Sequence, residues 1–331
     1  MKVTVVILTH HRYELIKLCL ESVKQQKNTS FEYEIFGLLN GQDPKTHQFL
    51  EQYAVENNNF KFLAIDESLP VGEARNKIIN NSSGEYICFI DDDVEIPQNY
   101  FETAERIIST NPNIDVFGGP DRKKNESSEF QIILDAIMQS FFAMGPTSKR
   151  HTKIKKEEKG TEVNLILCNL WMRRELFEKG YEFPHGYIRN EENILLGKLE
   201  QDKKVMLYTP DLFVFHSRKE SLIKLIRVTF LSGQYRTFGF FDSSKTFSLW
   251  FLVPQAFLIV LIASLFLSSE VFLLLFSTYF IFIYTLTLIK CIQVKTLKCF
   301  SWGILIYLVY NFVYPIGQFS GYIKRLLRNK R

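Results

Sequence analysis

The sequence predicts an α/β protein, a mostly parallel sheet covered by helices, followed by helices that cross a membrane. Three observations predict it. Over the first 120 residues, short apolar runs alternate with segments whose apolar residues recur at helical spacing. Polar clusters stand directly after three of these runs, at 9–12, 40–43 and 91–93. Beyond residue 246 the chain changes character, with long stretches that carry no charge.

The elements follow in order. Residues 2–8 are apolar and β-branched, hence a buried strand. Residues 13–26 place Leu15, Leu18, Cys19, Ser22 and Val23 at helical spacing. A second strand, 33–39, stops at the turn signal Asn40-Gly41. A helix at 44–57, a strand at 60–65, a helix at 71–81 and a strand at 85–90 complete the series. This order implies parallel strands joined by helical crossovers, and such sheets bind ligands outside the carboxyl ends of their strands. Residues 121–160 are polar and Lys-rich around an apolar helical stretch at 130–144. The like charges of 149–159 predict a mobile loop. An apolar run at 163–172, a helix at 187–199 that opens with acids, and a strand region at 205–216 close the soluble part.

Residues 247–267 and 271–289 are uncharged and long enough to cross a hydrocarbon core of roughly 30 Å. Residues 300–322 are also uncharged but contain Pro315, Gly317 and Gly321. The competing reading is a buried helical core, which needs fewer such stretches in succession. Before them, 221–241 carries Lys224, Arg227 and Arg236 among apolar residues, the pattern of a helix lying in a membrane interface or of an ordinary surface helix. The predicted organisation is an α/β domain at 1–218, an interfacial segment at 219–246, membrane segments at 247–267, 271–289 and 300–322, and a basic tail at 324–331. The loop with Lys290, Lys295 and Lys298 and the tail with Lys324, Arg325, Arg328, Lys330 and Arg331 both favour the cytoplasm. Three full crossings would separate them, which favours two crossings and one irregular segment.

A net charge of +4 with no basic stripe interleaved with aromatics excludes nucleic acid as a partner. Five scattered cysteines without a CxxC pair give neither a disulfide framework nor a zinc knuckle, which suits a reducing compartment. The first apolar run is too short for a signal peptide and is followed by His10-His11-Arg12, so the α/β domain is expected on the cytoplasmic side.

The chemistry concentrates in three places. Ile87-Cys88-Phe89-Ile90 delivers Asp91-Asp92-Asp93 to a strand end. Adjacent carboxylates repel unless a cation sits there, and alternation along an extended chain lets Asp91 and Asp93 share it. Hard oxygen ligands suit Mg²⁺ or Mn²⁺; an acidic surface turn is the alternative. Arg75 and Lys77 near the start of a helix could meet phosphate, or be solvated charges. Glu191-Glu192 opens another helix, as a general base or as partners of the helix dipole. His216 ends the last strand, as a metal ligand or a structural histidine.

Together these pieces resemble the family-2 glycosyltransferases of GT-A fold, over nearly all of residues 3–218. Val5-Val6-Ile7-Leu8-Thr9-His10-His11-Arg12 is similar to that family's opening strand and turn, and Gly72-Glu73-Ala74-Arg75-Asn76 with Gly84 through Asp93 is similar to its most specific stretch. The resemblance implies Asp91 and Asp93 as metal-binding acids, with His216 as a further ligand and Asp92 turned away from the ion. It implies a nucleotide-sugar donor along Thr9, Arg12 and Arg75, with Asn40, Asp91 and Asp92 completing that site. Glu192, beside Glu191, takes the place of the catalytic base. Asn169 to Arg174 resembles an acceptor-side stretch. There are departures. Leu39 stands where the family often has Asp, Glu192 replaces the commoner Asp, and Gln234-Tyr235-Arg236-Thr237 lacks the Trp of processive synthases. The expected function is inverting, metal-dependent sugar transfer to a lipid-linked acceptor at the membrane, in cell-surface polysaccharide or glycolipid synthesis. A polyprenyl phosphate acceptor, a non-catalytic scaffold that binds a nucleotide-sugar, and nucleotidyl transfer are the alternatives.

Overall fold

The computed structural model describes residues 1–27, 29–296 and 298–328; the side chain of Arg328, with Lys330 and Arg331 of the expected tail, lies outside them. In chain order the elements are β1 Lys2–Thr9, α1 Tyr13–Lys24, β2 Glu32–Asn40, α2 Pro44–Glu56, β3 Phe60–Ile65, α3 Val71–Ile79, β4 Tyr86–Asp91, β5 Val94–Glu95, α4 Tyr100–Thr110, β6 Val116–Gly118, β7 Asp121–Lys123, α5 Glu129–Met138, α6 Phe141–Met144, β8 Glu158–Lys159, β9 Leu170–Arg173, α7 Glu175–Glu178, α8 Glu191–Gln201, β10 Met206–Tyr208, β11 Val214–His216, α9 Leu222–Asp242, α10 Val253–Leu267, α11 Ser269–Val294, α12 Cys299–Leu308 and α13 Tyr314–Arg328. They form two compact units, residues 1–122 with 152–216, and 123–151 with 217 onward.

The first unit is built on a sheet of order β3-β2-β1-β4-β9-β6-β10-β8. β1 to β4 run parallel, while β9 is antiparallel to both its neighbours. Side chains alternate faces along each strand. Val3, Val5 and Ile7 of β1 with Cys88 and Ile90 of β4 pack under α1, against Ile16 and Leu20. Val6, Leu8, Ile87 and Phe89 face the other way, toward Ala74 and Ile78 of α3 and Leu195 of α8. Both faces are therefore buried, as the unbroken apolar runs require. β2 lies on one side of β1 and β4 on the other, so the sheet changes winding direction between β1 and β4. A crevice opens at such a point, beyond the strands' carboxyl ends.

Glu34 seals the opposite end of these strands. Its carboxylate accepts from the hydroxyl of Thr4 (2.8 Å) and from the amide and hydroxyl of Ser83 (2.9 and 2.8 Å), and Lys2 Nζ lies 3.2 Å away. Burial opposes ionisation, but these donors outweigh it and hold the carboxyl down at about 2. A carboxyl lowered on folding stabilises the protein above its ordinary value of 4.5, and that stability is lost as pH falls toward 2. Glu34→Gln should therefore cost about 2 kcal/mol at pH 7 and much less at pH 2.5. Melting curves of variant and parent at both pH values test this. An equal gap at both would show that the charge is not what matters.

Two expectations change, and a third stretch gains a structural role. The charges of 149–159 make an irregular, largely exposed loop only at 152–157: Arg150 and His151 are buried in a 3₁₀ turn, and β8 pairs with β10. A run of charge solvates a segment only where partners are lacking, and Lys149, Arg150 and His151 all have them. The helix expected at 187–199 begins only at Glu191, because Asn190 adopts φ +61 and breaks it there. Asn169 to Met172 are core: Trp171 is fully buried, stacks on Phe117 and donates to the Tyr100 hydroxyl at 3.0 Å. Arg173 and Arg174, at the end of the stretch, are partly exposed.

In the second unit, Phe130, Ile133 and Ile137 of α5 pack with Leu225, Ile283, Ile306 and Tyr307. The apolar stretch at 130–144, which sits inside 1–218 by sequence, thus groups with the apolar helices. Three helical segments are long and apolar enough to cross a membrane: Leu249–Leu267, Ser269–Val294 and Cys299–Leu327, with mean hydropathies of 2.3, 2.1 and 1.5. Their exposed residues include Phe266, Leu274, Ile281 and Ile292, an apolar surface that lipid would cover.

Candidate active site

The parallel register sets Leu8 of β1 against Asp91 of β4, so the turns after both strands share one place. Thr9 donates its hydroxyl to Asp92 Oδ2 at 2.7 Å. Arg12 Nη1 donates to Asp92 Oδ1 at 2.9 Å and to Asp93 Oδ2 at 3.0 Å. Burial pushes the Asp92 carboxyl up to about 6 despite Arg12. The three acids diverge. Asp92 turns back into the protein and is tied to the end of β1, Asp93 is buried toward β11, and Asp91 remains one-third exposed.

His216, at the end of β11, stands between two carboxylates. Its Nε2 is 3.1 Å from Asp93 and its Nδ1 is 2.7 Å from Asp121. Burial opposes charge on the ring, but Asp93 and the other neighbours outweigh it and raise its pKa well above the ordinary value. Asp121, Cys168 and His216 bring possible ligand atoms within 4.8 Å of one another. Burial raises the Cys168 thiol to about 11, which disfavours the thiolate a soft metal needs. Asp121 has no local signal in the sequence beyond Gly118-Gly119-Pro120 before it; the small sheet β5-β11-β7 brings it to His216.

The Gly72–Asn76 stretch has a structural explanation. A Cβ on Gly72 would stand 2.9 Å from Phe183 Cβ and 3.1 Å from Glu191 Cγ, so only glycine lets α3 begin against them. Asn76 clasps the backbone of Phe183, donating to its carbonyl at 2.9 Å and accepting from its amide at 3.1 Å. Glu73 accepts from the amide of Gly186 at 2.7 Å. These bonds hold the loop that leads into α8. Arg75, buried, then spans the site: Nη2 donates to Asp91 at 2.7 Å and Nη1 to Glu191 at 3.2 Å. Burial and the neighbouring Glu192 raise the Glu191 carboxyl to about 7, with Arg75 opposing. Glu192, the next residue of α8, is only half-buried.

Thr9, Arg12, Asp92, Asp93 and His216 form one set of direct contacts and Asp91, Arg75 and Glu191 a second, and the chain joins the two into one network at Asp91-Asp92. Asn40 stands apart from that network. Its carboxamide donates to the Leu69 carbonyl at 2.8 Å and accepts from the Leu69 amide at 2.9 Å, so it is engaged in pinning the 66–70 turn. The His10 ring contacts the Asn40 carbonyl and crowds Gly41, whose φ of +106 suits glycine.

Known proteins are similar to this chain in sequence and fold. AglE, a glycosyltransferase of Haloferax volcanii, is 31% identical over 190 residues, 56% of this chain and 57% of that protein. The chain thus spans just over half of AglE's length. The mannosyltransferase PcManGT of Pyrobaculum calidifontis, solved with GDP-Man and Mn²⁺, superposes with a TM-score of 0.66 at 14% identity, over 96% of this chain and 86% of that one. TarS of S. aureus, solved with UDP-GlcNAc, superposes with a TM-score of 0.52 at 18% identity, over 71% of this chain and 66% of that one. At such identities the two structures speak for a shared fold. Residues 4–181 match the glycosyl transferase family 2, and the chain belongs to that family.

Proposed function

We propose that this chain is an inverting, metal-dependent glycosyltransferase on the cytoplasmic face of a membrane, moving a sugar from a nucleotide-sugar to a lipid-linked acceptor in cell-surface polysaccharide or glycolipid synthesis. The observation that carries the reading is the buried Arg75, which joins Asp91 at the end of β4 to Glu191 of the acid pair opening α8. It holds the donor-side acid at a fixed separation from the start of α8, which carries the proposed base Glu192 beside Glu191. The GDP-Man and UDP-GlcNAc complexes of structurally similar proteins support the donor class, and the apolar helices support a membrane-borne acceptor.

The residues present suit a hard divalent cation. Asp93 and His216 Nε2, 3.1 Å apart, offer an oxygen and a nitrogen donor, Asp121 on Nδ1 orients the ring from behind, and Asp91, paired with Arg75, is the further oxygen donor that the reading requires. We assign Mg²⁺ or Mn²⁺ to Asp91, Asp93 and His216, where it would neutralise charge on the departing diphosphate. Cys168 is left out of the set, since it lies 3.9 Å from Nδ1, the nitrogen already engaged by Asp121.

The protein's own groups do the remainder. Arg12 keeps its place through Nη1 and is nearly half exposed, so the rest of its guanidinium faces the crevice, where phosphate would sit. Glu192 accepts the proton of an acceptor hydroxyl as that oxygen bonds to the anomeric carbon. The bond from that carbon to the diphosphate oxygen breaks on the opposite side, and its electron pair leaves with the nucleoside diphosphate. One displacement inverts the centre.

The test is a donor screen with membrane-purified full chain, a lipid extract and added Mn²⁺, read as nucleoside diphosphate release. Release with at least one nucleotide-sugar, dependent on the lipid extract, is expected. Saturable donor binding without turnover would replace this reading with a scaffold.

A further inference from the structure

We infer that the third apolar stretch, residues 299–328, does not cross the membrane. It begins and ends on one membrane face, and α13 lies beside α9 as a two-helix platform at the boundary between lipid headgroups and acyl chains.

The contacts fix the parity of the crossings. Ser268 alone separates α10 from α11. Phe257 and Tyr279, each eleven residues from Ser268, bring their rings to 4.8 Å. The two helices therefore fold back as a hairpin, and their outer ends, near 249 and 294, share a face. The third stretch starts there. Four residues separate it from α11, and Lys298 Nζ is 2.9 Å from Glu129, which also accepts from Thr296.

It ends there too. Gln318 Nε2 donates to the carbonyl of Phe251, at the opening of the first crossing, at 3.0 Å. Arg325 Nη1 is 2.9 Å from Asp242. Asp242 is kept beside that opening by a compact turn, in which the Thr246 hydroxyl donates to the Gly239 carbonyl at 2.6 Å. A helix leaving for the far face could make neither contact.

The depth of α13 is set by α9. The two run in the same direction, with Phe230 against Gly317, Gln234 against Gly321 and Asp242 against Arg325. The approach is backbone to backbone: a Cβ on Gly317 would stand 2.1 Å from the Phe230 carbonyl oxygen. In its 21 residues α9 carries Lys224, Arg227, Arg236 and Asp242, too much charge for a hydrocarbon core. A helix locked to it along its length shares its level. The exposed residues fit a headgroup boundary, with Ile223, Ile226, Ile316, Ile323, Leu326 and Leu327 beside Lys224, Arg227 and Lys324. Apolar faces continuous with two membrane-crossing helices, and edged by cations, suit anionic lipid. The lysines of 290–298 and Lys324 then fall on one face.

The test uses the full chain with Cys291→Ser in sealed vesicles. Ser268→Cys and Lys295→Cys are probed with a membrane-impermeant maleimide, and a tag after Arg331 with added protease, before and after permeabilisation. The tag is expected to become accessible under the same condition as position 295, and position 268 under the opposite one. A tag that groups with position 268 establishes a third crossing and overturns the inference. If 268 groups with 295 the hairpin does not cross, and the inference also falls.

Discussion

Asp93→Asn is expected to lower sugar transfer about a thousandfold in kcat/KM while the protein stays folded. Asn keeps the volume and one acceptor oxygen, enough for one of the two groups that now use separate oxygens, Arg12 Nη1 at 3.0 Å and His216 Nε2 at 3.1 Å. Arg12 also keeps Asp92. What is lost is a negative charge in a buried position, where few groups can replace it. Asp93 and Asp91 are the acids assigned to the divalent cation, so the variant should also need more added Mn²⁺ for its residual turnover. Asp92→Asn is the comparison. Asp92 is bound at both oxygens by Thr9 and Arg12 and serves the shape of the turn, so the same change there should cost about tenfold. Donor turnover across a Mn²⁺ titration, with melting curves for folding, reads both. Parent-like rate and metal dependence in Asp93→Asn would remove the acid from the site.

The fold was legible where local chemistry repeats. Ile87 to Ile90 reads as a buried strand because both faces of β4 are covered, and the acids after it stand out because three carboxylates in a row are costly in isolation. The role of Arg75 was not legible. Its two partners lie 16 and 116 residues away, and nothing near Gly72 reports that the helix start abuts Glu191. Asp121 was invisible for the same reason, since only the pairing of short strands brings it to His216. The apolar stretch at 130–144 was seen as helical, but its packing against Ile283 and Ile306 depends on contacts more than a hundred residues along the chain. Asn40 is legible as a polar residue at a strand end, but that its buried carboxamide finds both partners on the backbone of Leu69 shows only in the fold.

Glu192→Gln is the second large effect, an expected loss of about a hundredfold to ten-thousandfold in kcat with the donor KM nearly unchanged. The two acids of α8 are adjacent in sequence but differ in surroundings. Glu191 is buried against Arg75, and burial with the neighbouring Glu192 raises its carboxyl above the ordinary range, which disfavours its charge. A base must be ionised before the reaction and must reach the acceptor hydroxyl. Glu191 is hindered on both counts, because its charge is disfavoured and its oxygen is directed at a guanidinium. Glu192 is half-buried, one position further round the helix. Gln preserves its shape and removes only its capacity to take a proton, so the loss should fall on the chemical step and not on donor affinity. Glu191→Gln keeps the bond from Arg75 to Asp91 and should cost less. Single-turnover rates with donor and acceptor saturating measure the order directly. If Glu191→Gln is the slower of the two, the base is Glu191, and the buried arginine acts to hold its charge ready instead of fixing the distance between the two halves of the site.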